Sequence, residues 1–282
     1  MSAEGLAVLL RSFHLPTMAG IWEQSVTRAE RENWGYKRLL QYLCESEAQD
    51  RRERKMQRLF KESDLPEGKT LGNLDEQLLT PKIRRLLPTL LEGHFVERAE
   101  NILAFGLPGR GKTHFLVALG RELILRHRHT VLFAPTFKLV QRLLAAKKEF
   151  RLEKELRRLD NYSAIILDDI GYVQQDRQEM EVLFTFLAER YERRSVLISS
   201  NLVFSKWDQI FKDPMTTMAA IDRLVHHATI LEFNGPSIRD QQGRDRRKGQ
   251  AEPPEVPFGS TASLAPDGAK DSVPPKGTSP KD

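Results

Sequence analysis

The chain has 282 residues, of which 40% are hydrophobic and 29% charged, with a formal net charge of +5 and a pI near 9.3. No uninterrupted apolar stretch approaches the ~20 residues that a membrane span needs. The start, Met1-Ser2-Ala3-Glu4, lacks a secretory signal, and the single cysteine, Cys44, excludes an intramolecular disulfide or a thiolate cluster. The composition therefore predicts a soluble cytoplasmic protein with one large or two small domains, and its mild basic excess permits nucleic-acid binding without demonstrating it.

Residues 1 to about 65 read as helical, with no strand-like alternation. Leu6, Leu9 and Leu10 form one apolar stripe. Leu39, Leu40 and Leu43 with Cys44 form another, so Cys44 reads as a packing residue. The basic run from Arg51 to Lys61 could track DNA phosphates, but the interspersed Asp50, Glu53 and Glu62 suit a solvated helix face equally well. Trp22, Trp34, Met56 and Phe60 read as core rather than as base-stacking residues. Pro66-Glu67-Gly68-Lys69 then breaks the pattern, which separates a helical N-terminal domain, 1–66, from a second unit, 67–240. That unit opens with residues 70–100 as a linking segment and first helix.

From about residue 98 strand and helix patterns alternate. Short apolar runs at 102–105, 131–134, 164–167, 196–200 and 229–233 suit strands buried on both faces. Helical patterns fill 113–126, 137–159, 178–193 and 215–227. The alternation predicts an α/β fold, a parallel five-stranded sheet flanked by helices, with ligands at the carboxyl ends of its strands. The Lys147-Lys148 and Arg157-Arg158 clusters carry the same two readings as the N-terminal basic run. His226 and His227 have no metal-ligand partner at suitable spacing and read as structural. Beyond about Asp240 the pattern is lost. Seven of the 15 prolines fall there among Ser, Gly and Lys, so 241–282 is predicted to be a disordered tail.

The stretch between the first strand and its helix is Gly106-Leu107-Pro108-Gly109-Arg110-Gly111-Lys112-Thr113, followed by His114. A glycine, four residues and Gly-Lys-Thr make the form of a phosphate-binding loop. Its glycines let successive amide N–H groups converge on one anion, and the helix beyond presents its positive end to the same phosphates. Lys112 can reach β- and γ-phosphates and Thr113 can bind Mg²⁺. Ala164-Ile165-Ile166-Leu167-Asp168-Asp169 is a buried strand ending in two carboxylates. Asp168 is placed to hold Mg²⁺ beside the nucleotide, and Asp169 to orient or deprotonate an attacking water. Val196-Leu197-Ile198-Ser199-Ser200-Asn201 ends a further strand. There Asn201 is either within reach of the γ-phosphate or an ordinary strand-to-turn asparagine, and the residues alone favour the second reading.

The loop, together with Ile-Leu-Asp-Asp-Ile-Gly-Tyr (166–172), Leu-Ala-Glu-Arg-Tyr-Glu-Arg-Arg-Ser (187–195), Ser-Asn-Leu (200–202) and Ile-Asp-Arg-Leu-Val-His-His-Ala (221–228), resembles the IstB-like transposition helper ATPases. These are AAA+ proteins related to the helicase loader DnaC and to the initiator DnaA. The likeness covers residues 70 to 240, and Leu15-Pro16-Thr17-Met18 resembles the family too. Asp-Arg-Leu-Val-His-His and the closing Gly235-Pro236-Ser237-Ile238-Arg239 resemble IstB more than DnaC. The resemblance implies ATP and Mg²⁺ as ligands and Asn201 as sensor of the γ-phosphate, which reverses the reading from the residues alone. It implies Arg223 as an arginine finger acting on a neighbouring subunit, and Arg239 as a second sensor on the nucleotide. Without it, both arginines read as surface ion-pair residues. Asp169 stands where the AAA+ class usually carries Glu, which suits slow hydrolysis. Arg110 fills a position more often small, and Gln174-Gln175 replaces a common Pro-Leu.

The function implied is an ATP-dependent helper that assembles as an oligomer on duplex DNA, largely independently of sequence, and recruits or stimulates a partner transposase. Two alternatives share parts of the pattern. A DnaC-like helicase loader has every nucleotide-site residue, and a small-molecule P-loop kinase would have no need of Arg223 from another subunit.

Overall fold

Strands without alternation must be covered on both sides, and the chain supplies helices for both. The computed structural model describes residues 3–76, 79–170, 177–202, 207 and 214–234. Its strands are β1 (Asn101–Phe105), β2 (Val131–Pro135), β3 (Ala164–Asp168), β4 (Ser195–Ser200) and β5 (Ala228–Glu232). They form one parallel sheet in the order β2-β3-β4-β1-β5. The helices are α1 (Ala3–Ser12), α2 (Pro16–Arg31), α3 (Tyr36–Glu62), α4 (Pro81–Leu91), α5 (His94–Glu97), α6 (Lys112–His127), α7 (Thr136–Lys148), α8 (Leu152–Asp160), α9 (Arg177–Arg190) and α10 (Pro214–Val225). All described residues fall in one unit, Met1–Gly243; the second, Arg244–Asp282, lies outside them, as does the predicted tail. Among the described residues no helix is long and apolar enough to cross a membrane.

The period of two along each strand sorts the core into two layers. Ile102, Ala104, Ala164, Ile166 and Leu197 face Phe115 and Leu119 of α6 and Ile83 and Leu87 of α4. Leu103, Phe105, Ile165, Leu167 and Ile198 face Leu139 and Leu143 of α7 and Leu183 and Phe186 of α9. Helix α6 approaches closely at Gly120, where an added Cβ would lie 2.8 Å from Ile166 Cδ1.

The N-terminal helices are joined by one buried carboxylate. Leu15 precedes α2 and offers no side-chain cap. Glu47 of α3 takes that place, accepting the N–H groups of Thr17 at 2.8 Å and Met18 at 3.1 Å. Burial pushes the Glu47 pKa up, but the Met18 and Thr17 amides and Arg51 outweigh it and hold the carboxyl below its ordinary value. Arg51 and Arg54 both ion-pair with Glu47, so part of the basic run serves this joint. The end of α3 joins the core, with Leu59 buried and Met56 and Phe60 packed beside it. The Ser63 carbonyl then accepts the Phe133 N–H of β2 at 2.7 Å.

Two expectations are corrected. Cys44 is exposed and packs against nothing in the core. The helix predicted over 137–159 is two helices, α7 and α8, broken at Phe150, whose φ is +54° and whose ring is 99% exposed. The break redirects α8 so that Leu159 is buried and Leu152 and Leu156 pack against the core.

Arg190 fixes the far end of the sheet. It is 2% exposed, and its guanidinium donates to the carbonyls of Leu159 at 3.0 Å, Tyr162 at 2.9 Å and Ser195 at 3.1 Å. Burial lowers its pKa to about 9 and Asp160 opposes that, so the group is charged at neutral pH. Arg190→Met leaves three carbonyls without this donor. It is expected to lower unfolding free energy by about 3 kcal/mol in urea titrations; an unchanged midpoint would show that water replaces the guanidinium.

Candidate active site

The parallel register brings the predicted residues to one end of the sheet. Phe105, the last residue of β1, pairs with Ser200 of β4, and Leu167 of β3 pairs with Ile198. The loop after β1, the carboxylates after β3 and Asn201 after β4 therefore emerge side by side.

Within the loop, an added Cβ at Gly106 would lie 2.4 Å from the Phe233 carbonyl oxygen, so only glycine fits. Gly109 and Gly111 have φ of +79° and +86°, a region that side chains disfavour. Arg110 turns back, its Nη1 3.3 Å from the same Phe233 carbonyl. Leu107 and Pro108 are exposed. Helix α6 starts at Lys112 with no side-chain cap, which leaves its first N–H groups directed at the loop.

A cation, an amide and an anion stand in line. Lys112 Nζ donates to the carbonyls of Gly106 at 2.5 Å and Leu107 at 2.9 Å, and to Asn201 Oδ1 at 2.7 Å. Asn201 Nδ2 donates to Asp169 Oδ1 at 2.9 Å. The amide thus turns its acceptor to the ammonium and its donor to the carboxylate. Beside this chain, Asp168 Oδ1 accepts from Thr113 Oγ1 at 2.7 Å and Ser199 Oγ at 2.6 Å. Asp169 has φ of +61°, and its N–H donates to Ser199 Oγ at 2.8 Å. Thr136 Oγ1 donates to the Asp168 carbonyl at 2.9 Å, which holds the backbone at this bend.

The residues fit a nucleotide triphosphate with a divalent ion. The loop has a glycine wherever a side chain would block it. Lys112 Nζ is held by two carbonyl oxygens and an amide oxygen, with which phosphate oxygens would compete. Thr113 and Asp168 put a hydroxyl and a carboxylate, both hard oxygen donors, within 2.7 Å of each other.

Other predicted residues lie elsewhere. His114 Nε2 is 3.0 Å from the Thr70 carbonyl and ties α6 to the linking segment. Arg223 does not join the Lys112–Asn201–Asp169 chain: its guanidinium carbon lies 4.9 Å from the Phe184 ring centroid, and its Nη1 is buried without a hydrogen-bond partner. Arg239, Tyr172, Gln174 and Gln175 lie outside the described residues. His226 and His227, read from sequence as lacking a ligand partner, meet Glu192 across the turn between α9 and β4. Ser199 and Thr136 went unpredicted. Ser199 was accessible in principle, because pairing β3 with β4 sets it beside Asp168.

Gly106→Ala is expected to weaken ATP binding at least tenfold, about 1.4 kcal/mol, in calorimetric titration; unchanged affinity would show that the Phe233 backbone yields to the methyl group.

The model of the IstB-like ATP binding protein family matches residues 8–246. A Sinorhizobium fredii protein named as an insertion-sequence ATP-binding protein is 38% identical over 260 residues, covering 92% of this chain and 87% of its own. A Pseudomonas aeruginosa protein named for ATP binding in insertion sequence IS21 is 35% identical over 239 residues, 85% of this chain and 90% of its own. Domain III of the Thermotoga maritima replication initiation protein DnaA shares the fold, with a TM-score of 0.51 at 17% identity over 68% of this chain and 79% of that one. With its P-loop sheet and this extent of likeness, the chain belongs to the IstB-like ATP-binding family and is an ATPase.

Proposed function

We propose that this ATPase assembles in its ATP state on duplex DNA and there recruits or stimulates a partner transposase, with hydrolysis timing assembly and release. The observation that carries the reading is the Lys112–Asn201–Asp169 chain, in a protein whose relatives are named for insertion sequences. In this reading, γ-phosphate binding draws Lys112 off its carbonyls and engages Asn201. Asp169 then orients the attacking water and accepts its proton. Thr113 and Asp168 would hold Mg²⁺, which would supply charge neutralisation at the phosphates. Ser199 keeps Asp168 and Asp169 at their separate tasks, since its hydroxyl contacts both.

Arg223 serves a neighbouring subunit, leaving Phe184 when the subunits meet, and Arg239 reads the nucleotide within its own. A buried, unbonded Nη1 supports a side chain that gains a partner on assembly. Residues 1–66 act as a helical module beside the ATPase domain, 67–240, with 241–282 as a tail. DNA contact is directed at phosphates and duplex shape, so affinity falls with salt and depends little on sequence.

The test is ATP-dependent retention on random-sequence duplex DNA, followed by identification of the protein captured with it. Retention of a replicative helicase and not a transposase would overturn the partner. Arg223→Ala is expected to bind ATP normally and to hydrolyse it on the order of 10³-fold more slowly. Mixing it with Lys112→Ala subunits, which bind no ATP, should restore part of the rate. No restoration at assembling concentrations would refute a shared site. Concentration-independent activity with phosphate appearing on a metabolite would indicate a kinase instead.

A further inference from the structure

We propose a second metal site, for a borderline divalent ion such as Zn²⁺, formed by Glu192, His226 and His227. Glu192 Oε1 lies 3.9 Å from His226 Nδ1 and 3.5 Å from His227 Nε2, and one ligand atom from each of the three falls within 4.8 Å of the others. A tetrahedral ion with bonds near 2.1 Å sets its ligand atoms about 3.4 Å apart, so small side-chain rotations close the set. Two imidazoles and one carboxylate suit zinc better than magnesium or calcium, which prefer oxygen throughout. All three side chains are about half exposed, at 54%, 54% and 48%, leaving room for water as a fourth ligand.

The backbone carrying these ligands is held from beneath by Asn101. Its N–H donates to the His227 carbonyl at 2.7 Å, its Nδ2 to the Leu224 carbonyl at 3.2 Å, and its Oδ1 accepts the Val196 N–H at 2.9 Å. One buried asparagine, through its backbone N–H and its side-chain amide, therefore ties together the end of α10, the start of β5 and the start of β4, the segments that border both halves of the site. Arg190 anchors the chain two residues before Glu192 through three carbonyls. Pre-positioned ligands lose little freedom on binding. Tyr191 hydrogen-bonds His226 Nδ1 at 2.8 Å, the same atom that lies 3.9 Å from Glu192 Oε1, so coordination through it turns the hydroxyl out.

The site is separate from the nucleotide. It adjoins the start of β1, whereas the phosphate loop follows its end, five residues or about 16 Å away. Its ion joins the turn after α9 to the turn after α10, and Arg223 lies on α10 one helical turn before His226. Occupancy therefore stiffens the helix that carries Arg223.

The test uses untagged, chelator-treated full chain without nucleotide, titrated with Zn²⁺ against a chromophoric competitor. The expected result is one tight Zn²⁺ per chain and a melting temperature that rises with zinc. Glu192→Gln and His227→Ala should each weaken binding at least tenfold and remove the zinc-induced rise, while zinc-free melting stays near wild type. Asp168→Asn should keep the zinc. Equal affinity in Glu192→Gln and wild type, absence of tight binding in wild type, or loss of the ion only in Asp168→Asn would each overturn the site.

Discussion

The position of β4 between β3 and β1 is the constraint on which the rest of the nucleotide end depends. A parallel sheet delivers the carboxyl ends of adjacent strands together, and the central strand alone touches both neighbours. Ser199 leans towards β3, where its hydroxyl engages Asp168 and the Asp169 amide. Asn201, two residues on, reaches Lys112 on one side and Asp169 on the other. A one-residue slip of β4 would turn these side chains to the opposite faces and dissolve the site.

The line of ammonium, amide and carboxylate also settles the charges buried at this end of the sheet. Lys112 is buried, and a buried cation without partners would be costly. It is instead held by two loop carbonyls and Asn201. The same economy of contacts recurs at the opposite end of the sheet, where Asn101 and Arg190 each satisfy several backbone groups at once.

What could be read from the sequence was the part written in local pattern. Five unalternating apolar runs gave all five strands to within a residue or so, because burial on both faces leaves no other composition. The glycines of the phosphate loop were legible because backbone geometry there admits no substitute. The break at Phe150 was not, since Lys147 to Lys154 contains neither Gly nor Pro and its charges suit a continuous helix. The exposure of Cys44 was missed for a related reason: spacing defines a stripe, but not how wide a stripe the neighbouring helix covers. Glu192 and the two histidines lie more than thirty residues apart and meet only through strand order, so no spacing rule could join them.

The bond from the Phe133 amide to the Ser63 carbonyl bears on how copies of this chain can meet. An edge strand exposes every second N–H, and along β2 the set that includes Phe133 comprises positions 131, 133 and 135. Phe133 is taken by the end of α3, and position 135 is a proline with no N–H to give. Only Val131 remains, too little to template an added strand. The sheet is thus closed to growth along its β2 border by the same helix that brings the N-terminal segment against the core. Along that border, any contact with another chain would be made by side chains and loops and not by a backbone ladder.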